Sequence, residues 1–161
     1  GNTDSSADRQ PGSDHCQPRI LHHAPCGKSI ENDAIDTLYT QKKYTKVDRI
    51  HYEEVVEGMR MAVTGGTCRM ANLPDIEVCG KTGTAQNRGK DHSAFMGFAP
   101  MNNPKIAIAV YVENGGFGAV YGVPIGRLMI EQYLKGELTP QDEELATDIQ
   151  NRRIDYGIHE R

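Results

Sequence analysis

Tryptophan is absent from this chain of 161 residues, and only three phenylalanines are present. The sequence contains no run of eighteen apolar residues and no signal-type segment at its amino terminus, so we expect it neither to span nor to target a membrane by itself. Eighteen basic residues stand against 22 acidic ones, which gives a formal net charge of −4 with no basic stripe. A nucleic-acid partner is therefore not expected.

Cysteine is also sparse, and the four cysteines show no paired spacing. Two of them lie among three histidines, which places five possible zinc ligands within twelve residues: His15, Cys16, His22, His23 and Cys26. Ligands that are adjacent in sequence cannot easily both point at one ion, and no apolar residues nearby would hold the loop. We therefore expect no metal and no cofactor. Cys79 is best explained as a small core residue.

The most informative segment present is residues 80–86, Gly-Lys-Thr-Gly-Thr-Ala-Gln. Because side chains alternate along a strand, Lys81 and Gly83 would lie on one side, and Thr82 and Thr84 on the other. Gly83 has no side chain, so an extended peptide could approach the backbone and pair with it. The threonine hydroxyls could bind a carboxylate while Lys81 supplies positive charge. The pattern predicts a site for a peptide that ends in a carboxylate.

Gly-Lys-Thr also suggests a phosphate-binding loop, but the spacing excludes it. Such a loop needs a glycine five positions before Gly80, where this chain has Asp75. The residues after Lys81 also continue as a strand and hairpin instead of a helix. A simple hairpin with a solvated lysine is the remaining structural alternative.

The flanking sequence predicts a helix, three antiparallel strands and a second helix. Asp48 can cap the first helix, which Gly65-Gly66 ends. Its predicted buried face comprises Tyr52, Val55, Val56, Met59, Ala62 and Val63. The motif strand is predicted to start at residues 76–78, and residues 92–99 to return antiparallel to it. The nearly continuous apolar run over residues 105–113 predicts a strand buried on both faces.

The second helix is predicted to begin near Pro124 and to end at Gly136. Its apolar positions are Ile125, Leu128, Met129, Ile130, Tyr133 and Leu134. Beyond it, residues 139–161 form a charged carboxy-terminal tail that we expect on the surface, with Leu145 and Ile149 at helical spacing. Residues 1–30 form a polar amino-terminal tail that we expect to be poorly ordered.

Residues 48–138 resemble the carboxy-terminal part of the transpeptidase domain of a class B penicillin-binding protein, of the penicillin-binding protein 2 type. The resemblance is carried by residues 63–67, 80–86, 92–100 and 106–114, and Ala85-Gln86 favours class B enzymes over β-lactamases. Residues 1–30 do not match this family. The resemblance implies an α/β (α+β) fold, a partial penicillin-binding or serine β-lactamase-like transpeptidase domain over residues 31–138, with helices packed on an antiparallel sheet of at least three strands.

Members of that family are D,D-transpeptidases that cross-link peptidoglycan stem peptides and are acylated by β-lactams. The resemblance implies that Lys81, Thr82, Gly83 and Thr84 bind the substrate. It also implies that Lys81 gives electrostatic support and that the backbone N–H of Thr84 contributes to the oxyanion hole. The partners would be stem peptides and β-lactams, and the location the periplasmic face of the inner membrane.

The family's nucleophile motif, Ser-x-x-Lys, and its Ser-x-Asn motif do not occur in the printed sequence. We therefore expect a fragment of a peptidoglycan D,D-transpeptidase that is inactive by itself. Two alternatives remain open: a non-catalytic peptide-binding or sensor module, and a β-lactamase-like hydrolase.

The predicted strand at residues 105–113 carries a further expectation. In the family this strand lies inside the sheet, and the family strands that would cover its outer edge are not obvious in this sequence. The candidates to cover this edge are residues 35–39 folding back and a second copy of the chain, and we expect self-association into a dimer or larger assembly in solution.

Overall fold

The computed structural model describes residues 20–21 and 43–156. Strands β1 (Ile20–Leu21) and β2 (Lys43–Tyr44) form a short antiparallel pair. Helix α1 (Arg49–Thr64) and a 3₁₀ turn (Arg69–Ala71) precede three longer strands, β3 (Cys79–Ala85), β4 (His92–Ala99) and β5 (Ile106–Val112). Helices α2 (Gly122–Lys135) and α3 (Pro140–Asn151) follow. The predicted order of helix, three antiparallel strands and helix is confirmed, as is the α/β class.

Strands β3, β4 and β5 form an antiparallel sheet in that order. Thr82 pairs with Phe95, and Phe95 pairs with Val110, so the three side chains share one face. Lys81 pairs with Met96 and lies on the opposite face. The motif strand starts at Cys79, three residues later than predicted, because Ile76 forms only an isolated bridge with Leu73.

Helix α2 packs on the face of the sheet that carries Phe95. The Phe95 ring is buried where three glycines approach it, and a Cβ atom at Gly80, Gly97 or Gly126 would come within 2.8 Å of ring carbons. Side chains at these positions would collide with the ring, so the glycines allow helix and strands to close around one aromatic residue. Gly136 ends α2 in a left-handed conformation, as predicted.

Helix α1 begins after Asp48, ends at Gly65, and packs against β3. Val63 is fully buried, but the predicted apolar face is only partly covered, since Val55 is 59% exposed. The same holds for α2, in which Ile130 is buried while Met129 and Tyr133 are exposed. Helical spacing predicted one apolar face for each helix, but the described elements of the structure cover only part of each face.

The prediction that residues 105–113 form a strand buried on both faces is wrong for the described residues. Strand β5 lies at the edge of the three-stranded sheet, and its side chains alternate between half-buried and exposed. Ile106, Ile108 and Val110 pack against the core, while Tyr111 is 58% exposed on the other face. No described element covers that second face.

The charged segment after residue 139 contains helix α3. It is joined to α2 by an ion pair between Arg127 and Asp142, whose carboxylate is almost fully buried. The buried carboxylate of Glu131 accepts a hydrogen bond from Lys135 and one from the backbone N–H of Thr139, just before α3. The segment predicted as a surface tail therefore holds part of the buried polar structure.

Candidate functional site

The motif residues lie in the middle and last part of β3. Lys81 and Thr84 are exposed, and Thr82 and Gly83 are half-buried. Thr82 and Thr84 share the face of the sheet that carries α2, while Lys81 and Gly83 are on the opposite face. No described strand pairs with the outer edge of β3. An extended ligand could therefore add to this edge through backbone hydrogen bonds.

The Thr82 hydroxyl has a side-chain partner on the turn that follows α1. Its Oγ1 atom lies 2.9 Å from the Oγ1 atom of Thr67. That turn is fixed by two backbone hydrogen bonds to the Ala62 carbonyl, from the N–H groups of Gly66 and Cys68 at 3.1 and 2.9 Å. Sequence reasoning included Thr67 only as part of the family pattern and did not predict its contact with Thr82.

The Lys81 side chain reaches along its own strand. Its Nζ atom donates to the carbonyl oxygen of Thr82 at 2.6 Å and remains exposed. The positive charge thus stays beside the backbone of the motif, where it can attract an anionic ligand. Lys81 is close enough to the buried Cys68 thiol to act on it electrostatically.

A glycine-rich loop between β5 and α2 covers the α2-facing side of the motif strand. A Cβ atom at Gly118 would lie 2.8 Å from the carbonyl oxygen of Gly83 and 3.0 Å from Cβ of Thr82. Ser93, which pairs with Thr84 across the sheet, is fully buried and holds the loop. Its hydroxyl donates to the Phe117 carbonyl and accepts from the N–H of Gly122. Sequence reasoning placed a break at Gly115-Gly116 but did not predict that this loop covers the motif strand.

Two buried thiols lie behind the motif. Cys79 is fully buried, as predicted for a core residue, and burial raises the pKa of its thiol to about 11. Burial also raises the pKa of the Cys68 thiol, and hydrogen bonds with Thr67 and Thr82 only partly oppose this. Both groups are therefore neutral near pH 7, which makes them poor nucleophiles.

The five residues considered for zinc lie outside the described residues. Over residues 20–21 and 43–156, no group of three or more His, Cys, Asp or Glu side chains is arranged to hold a metal ion. Within the same part of the chain, no helix has the length and apolar character needed to cross a membrane.

Comparison with known proteins identifies the family. Residues 21–130 match the family model described as the penicillin binding protein transpeptidase domain. The match therefore includes the last ten of the residues 1–30, in which the sequence showed no resemblance to the family. The peptidoglycan D,D-transpeptidase MrdA of Acinetobacter baumannii is 40% identical over 118 residues, which cover 63% of this chain and 16% of that protein. The chain thus spans about one sixth of that relative's length.

Two solved structures share the fold at similar identity. Pseudomonas aeruginosa PBP2 in complex with WCK 5153 is 34% identical with a TM-score of 0.54, covering 67% of this chain and 25% of that one. Penicillin-binding protein A from M. tuberculosis, in its ceftriaxone acyl-enzyme complex, is 30% identical with a TM-score of 0.54, covering 58% and 23%. These matches confirm the resemblance carried by residues 80–86: the chain belongs to the penicillin-binding protein transpeptidase family, in its class B, penicillin-binding protein 2 group.

Proposed function

We propose that the chain supplies the carboxylate-binding strand of a peptidoglycan D,D-transpeptidase. The observation that carries the proposal is the exposed outer edge of β3, with two threonine hydroxyls on one face and a lysine beside them. The substrate would be a stem peptide ending in a free carboxylate, and β-lactams would bind through their own carboxylate. The transpeptidase relatives support this choice of substrate.

Each motif residue has a separate role in this proposal. Thr82 and Thr84 donate hydrogen bonds to the carboxylate, since both lie on the same face of the strand. Gly83 leaves room for the ligand backbone, and Lys81 adds positive charge. The N–H of Thr84 is one donor to the oxyanion that forms when a serine attacks the peptide carbonyl.

The reaction also needs a nucleophilic serine with a lysine three residues later, and the printed sequence has none at that spacing. In this proposal that serine belongs to the complete transpeptidase domain in which the chain takes part. The proposed location is the periplasmic face of the inner membrane, where the stem peptides are. A sensor module without a nucleophile would bind the same ligands and form no acyl-enzyme.

The experiment replaces the proposed carboxylate ligand in the complete domain. Thr82→Val keeps the strand shape and removes one charge-assisted hydrogen bond, which lowers the rate constant of acylation by benzylpenicillin about ten- to a hundredfold. Thr64→Val is the matched control, because this threonine ends α1 and its hydroxyl bonds only within the helix, to the Met61 carbonyl. Equal rates for Thr82→Val and the unchanged domain would show that the carboxylate is bound elsewhere.

A further inference from the structure

We propose that Thr67 is a positioning residue for the carboxylate site: when a carboxylate is bound, the Thr67 hydroxyl donates to Thr82 and so directs the Thr82 proton toward the ligand. This inference rests on the proposed function. It concerns a residue outside the motif strand, fourteen or more positions before the residues that would touch the ligand. The contact that carries it is the 2.9 Å separation of the two threonine Oγ1 atoms.

The direction of the hydrogen bond follows from the donors available. A threonine hydroxyl has one proton to donate and can accept at the same oxygen. An ionised carboxylate can only accept hydrogen bonds, so the Thr82 hydroxyl must donate its proton to a bound ligand carboxylate. The Thr82 oxygen can then take part in the contact with Thr67 only as the acceptor. Thr67 must therefore be the donor when the ligand is bound.

Without a ligand, either hydroxyl can donate across this contact. A bound carboxylate selects the arrangement Thr67 to Thr82 to carboxylate, in which each bond polarises the next. Thr67 thus restricts the rotation of the Thr82 hydroxyl and strengthens it as a donor. Valine at position 67 would leave that hydroxyl free to turn away from the ligand.

The main chain holds Thr67 in place for this role. The neighbouring residue Cys68 is fully buried, and its N–H bonds to the Ala62 carbonyl at 2.9 Å. On the other side, Gly66 lies so close to α1 that a Cβ atom there would come within 2.8 Å of the Ala62 Cα. This close turn presents the Thr67 side chain to β3, while the side chain itself stays at the surface.

The Cys68 thiol is the competing partner for the Thr67 proton. Its pKa is raised, chiefly by burial, so the sulfur is protonated near neutral pH and accepts hydrogen bonds only weakly. The Thr82 oxygen is a stronger acceptor than the thiol sulfur, and it becomes stronger still when Thr82 donates to a ligand carboxylate. The proton therefore goes to Thr82.

The test compares two D-alanyl thioesters that differ only at the leaving group, one with a free carboxylate and one with its methyl ester. In the complete domain, we expect Thr67→Val to slow acylation by the carboxylate thioester about fivefold and acylation by the ester less than twofold. Thr67→Ser retains a hydroxyl and should restore the rate. Thr64→Val, an exposed threonine three residues away, should change neither rate.

Equal losses with both thioesters would assign Thr67 a purely structural role and overturn the inference. Selective loss in Thr82→Val with none in Thr67→Val would also overturn it, while leaving the proposed function intact. If Thr82→Val slowed both thioesters equally, the carboxylate site itself would be wrong, and the role of Thr67 would fail with it. Because the Thr67 side chain lies at the surface, we expect the variant to fold.

Discussion

Arg127 on α2 and Asp142 on α3 form an ion pair in which one guanidinium nitrogen, Nε, lies 2.8 and 2.9 Å from the two carboxylate oxygens. The Asp142 side chain is 2% exposed and that of Arg127 14% exposed. A second nitrogen of Arg127 donates to the carbonyl oxygens of Met70 and Asn72 at 3.2 and 2.5 Å. One arginine thus connects both carboxy-terminal helices to the turn that precedes the motif strand.

Replacing Arg127 by alanine should lower the free energy of unfolding by about 3 kcal/mol, because it leaves a buried carboxylate without its partner. The control is Arg49→Ala, which breaks an ion pair with Glu53 in which both side chains are more than half exposed. That change should cost less than about 0.5 kcal/mol. Urea unfolding of both variants measures the difference, and similar losses in the two would contradict a structural role for Arg127.

Asp142→Asn should make the free energy of unfolding less dependent on pH in the acid range. Burial alone would raise the pKa of Asp142, but the hydrogen bonds from Arg127 and the positive charges of Arg127 and Lys135 outweigh burial and hold the pKa below its ordinary value. A carboxyl group whose pKa is lower in the folded than in the unfolded state stabilises the fold at pH values above its unfolded-state pKa. That stabilisation is lost as the pH falls through the folded-state pKa. We expect a cost of about 2 kcal/mol at pH 7 that shrinks below about pH 4.

Unfolding curves at pH 7, 5 and 3 would measure this change. A difference between Asp142→Asn and the unchanged chain that stayed constant over that range would show that ionisation of this carboxyl does not stabilise the fold.

Gly80→Ala should destabilise the chain by about 1–3 kcal/mol, because the new Cβ atom would lie 2.5 Å from the Phe95 ring. Gly58→Ala is a matched control, since position 58 lies within α1 and an added Cβ meets no atom within 4 Å. That substitution should stabilise the helix by up to about 1 kcal/mol. Thermal unfolding distinguishes the two glycines, and a neutral Gly80→Ala would show that the ring can move aside.

Much of the fold could be predicted from local pattern. The antiparallel hairpin of β3 and β4 follows from strand-like runs on both sides of a turn that contains Asn87 and Gly89, and Gly136 marks the end of α2. Alternation alone placed Lys81 and Thr82 on opposite faces of the motif strand, as the pairing with Met96 and Phe95 shows. These features depend on residues that are close in sequence.

Other features depend on contacts between distant residues, and pattern could not supply them. The apolar run at β5 has the composition of a central strand, but exposure depends on what packs beside it. The buried ion pair of Asp142 lies in a segment whose charge suggests a solvated helix. The Thr67–Thr82 contact joins a turn to a strand fifteen residues later. The roles of the site residues remain predictions.

The isolated chain should not form a covalent adduct with β-lactams. Acylation needs an activated serine, and none of the five serines has a lysine at the required spacing. Ser93 is in addition buried, with its hydroxyl bonded to the Phe117 carbonyl. The chain is incubated with a fluorescent penicillin and run on a denaturing gel, with M. tuberculosis penicillin-binding protein A, known as an acyl-enzyme with ceftriaxone, as the positive control. A labelled band at the mass of the chain would refute the prediction.

The outer edge of β5 should cause the chain to self-associate. No described strand pairs with this edge, and the strand has neither charge nor proline between Ile106 and Val112. Two copies joined antiparallel along β5 would form a continuous six-stranded sheet about a twofold axis. Light scattering should then give a mass near twice the 17.8 kDa of one chain, or higher.

The test of this edge needs a substitution that spares the core. Ile108 packs against buried residues, so a lysine there would also disturb folding, whereas Ala109 is exposed on the uncovered face. Ala109→Lys should reduce association, because a charged side chain on an edge strand opposes pairing with another strand. Gln150→Lys adds the same charge on the exposed surface of α3 and should leave the mass unchanged. A monomeric chain at micromolar concentration, unaffected by Ala109→Lys, would show that the edge of β5 is already covered within one copy.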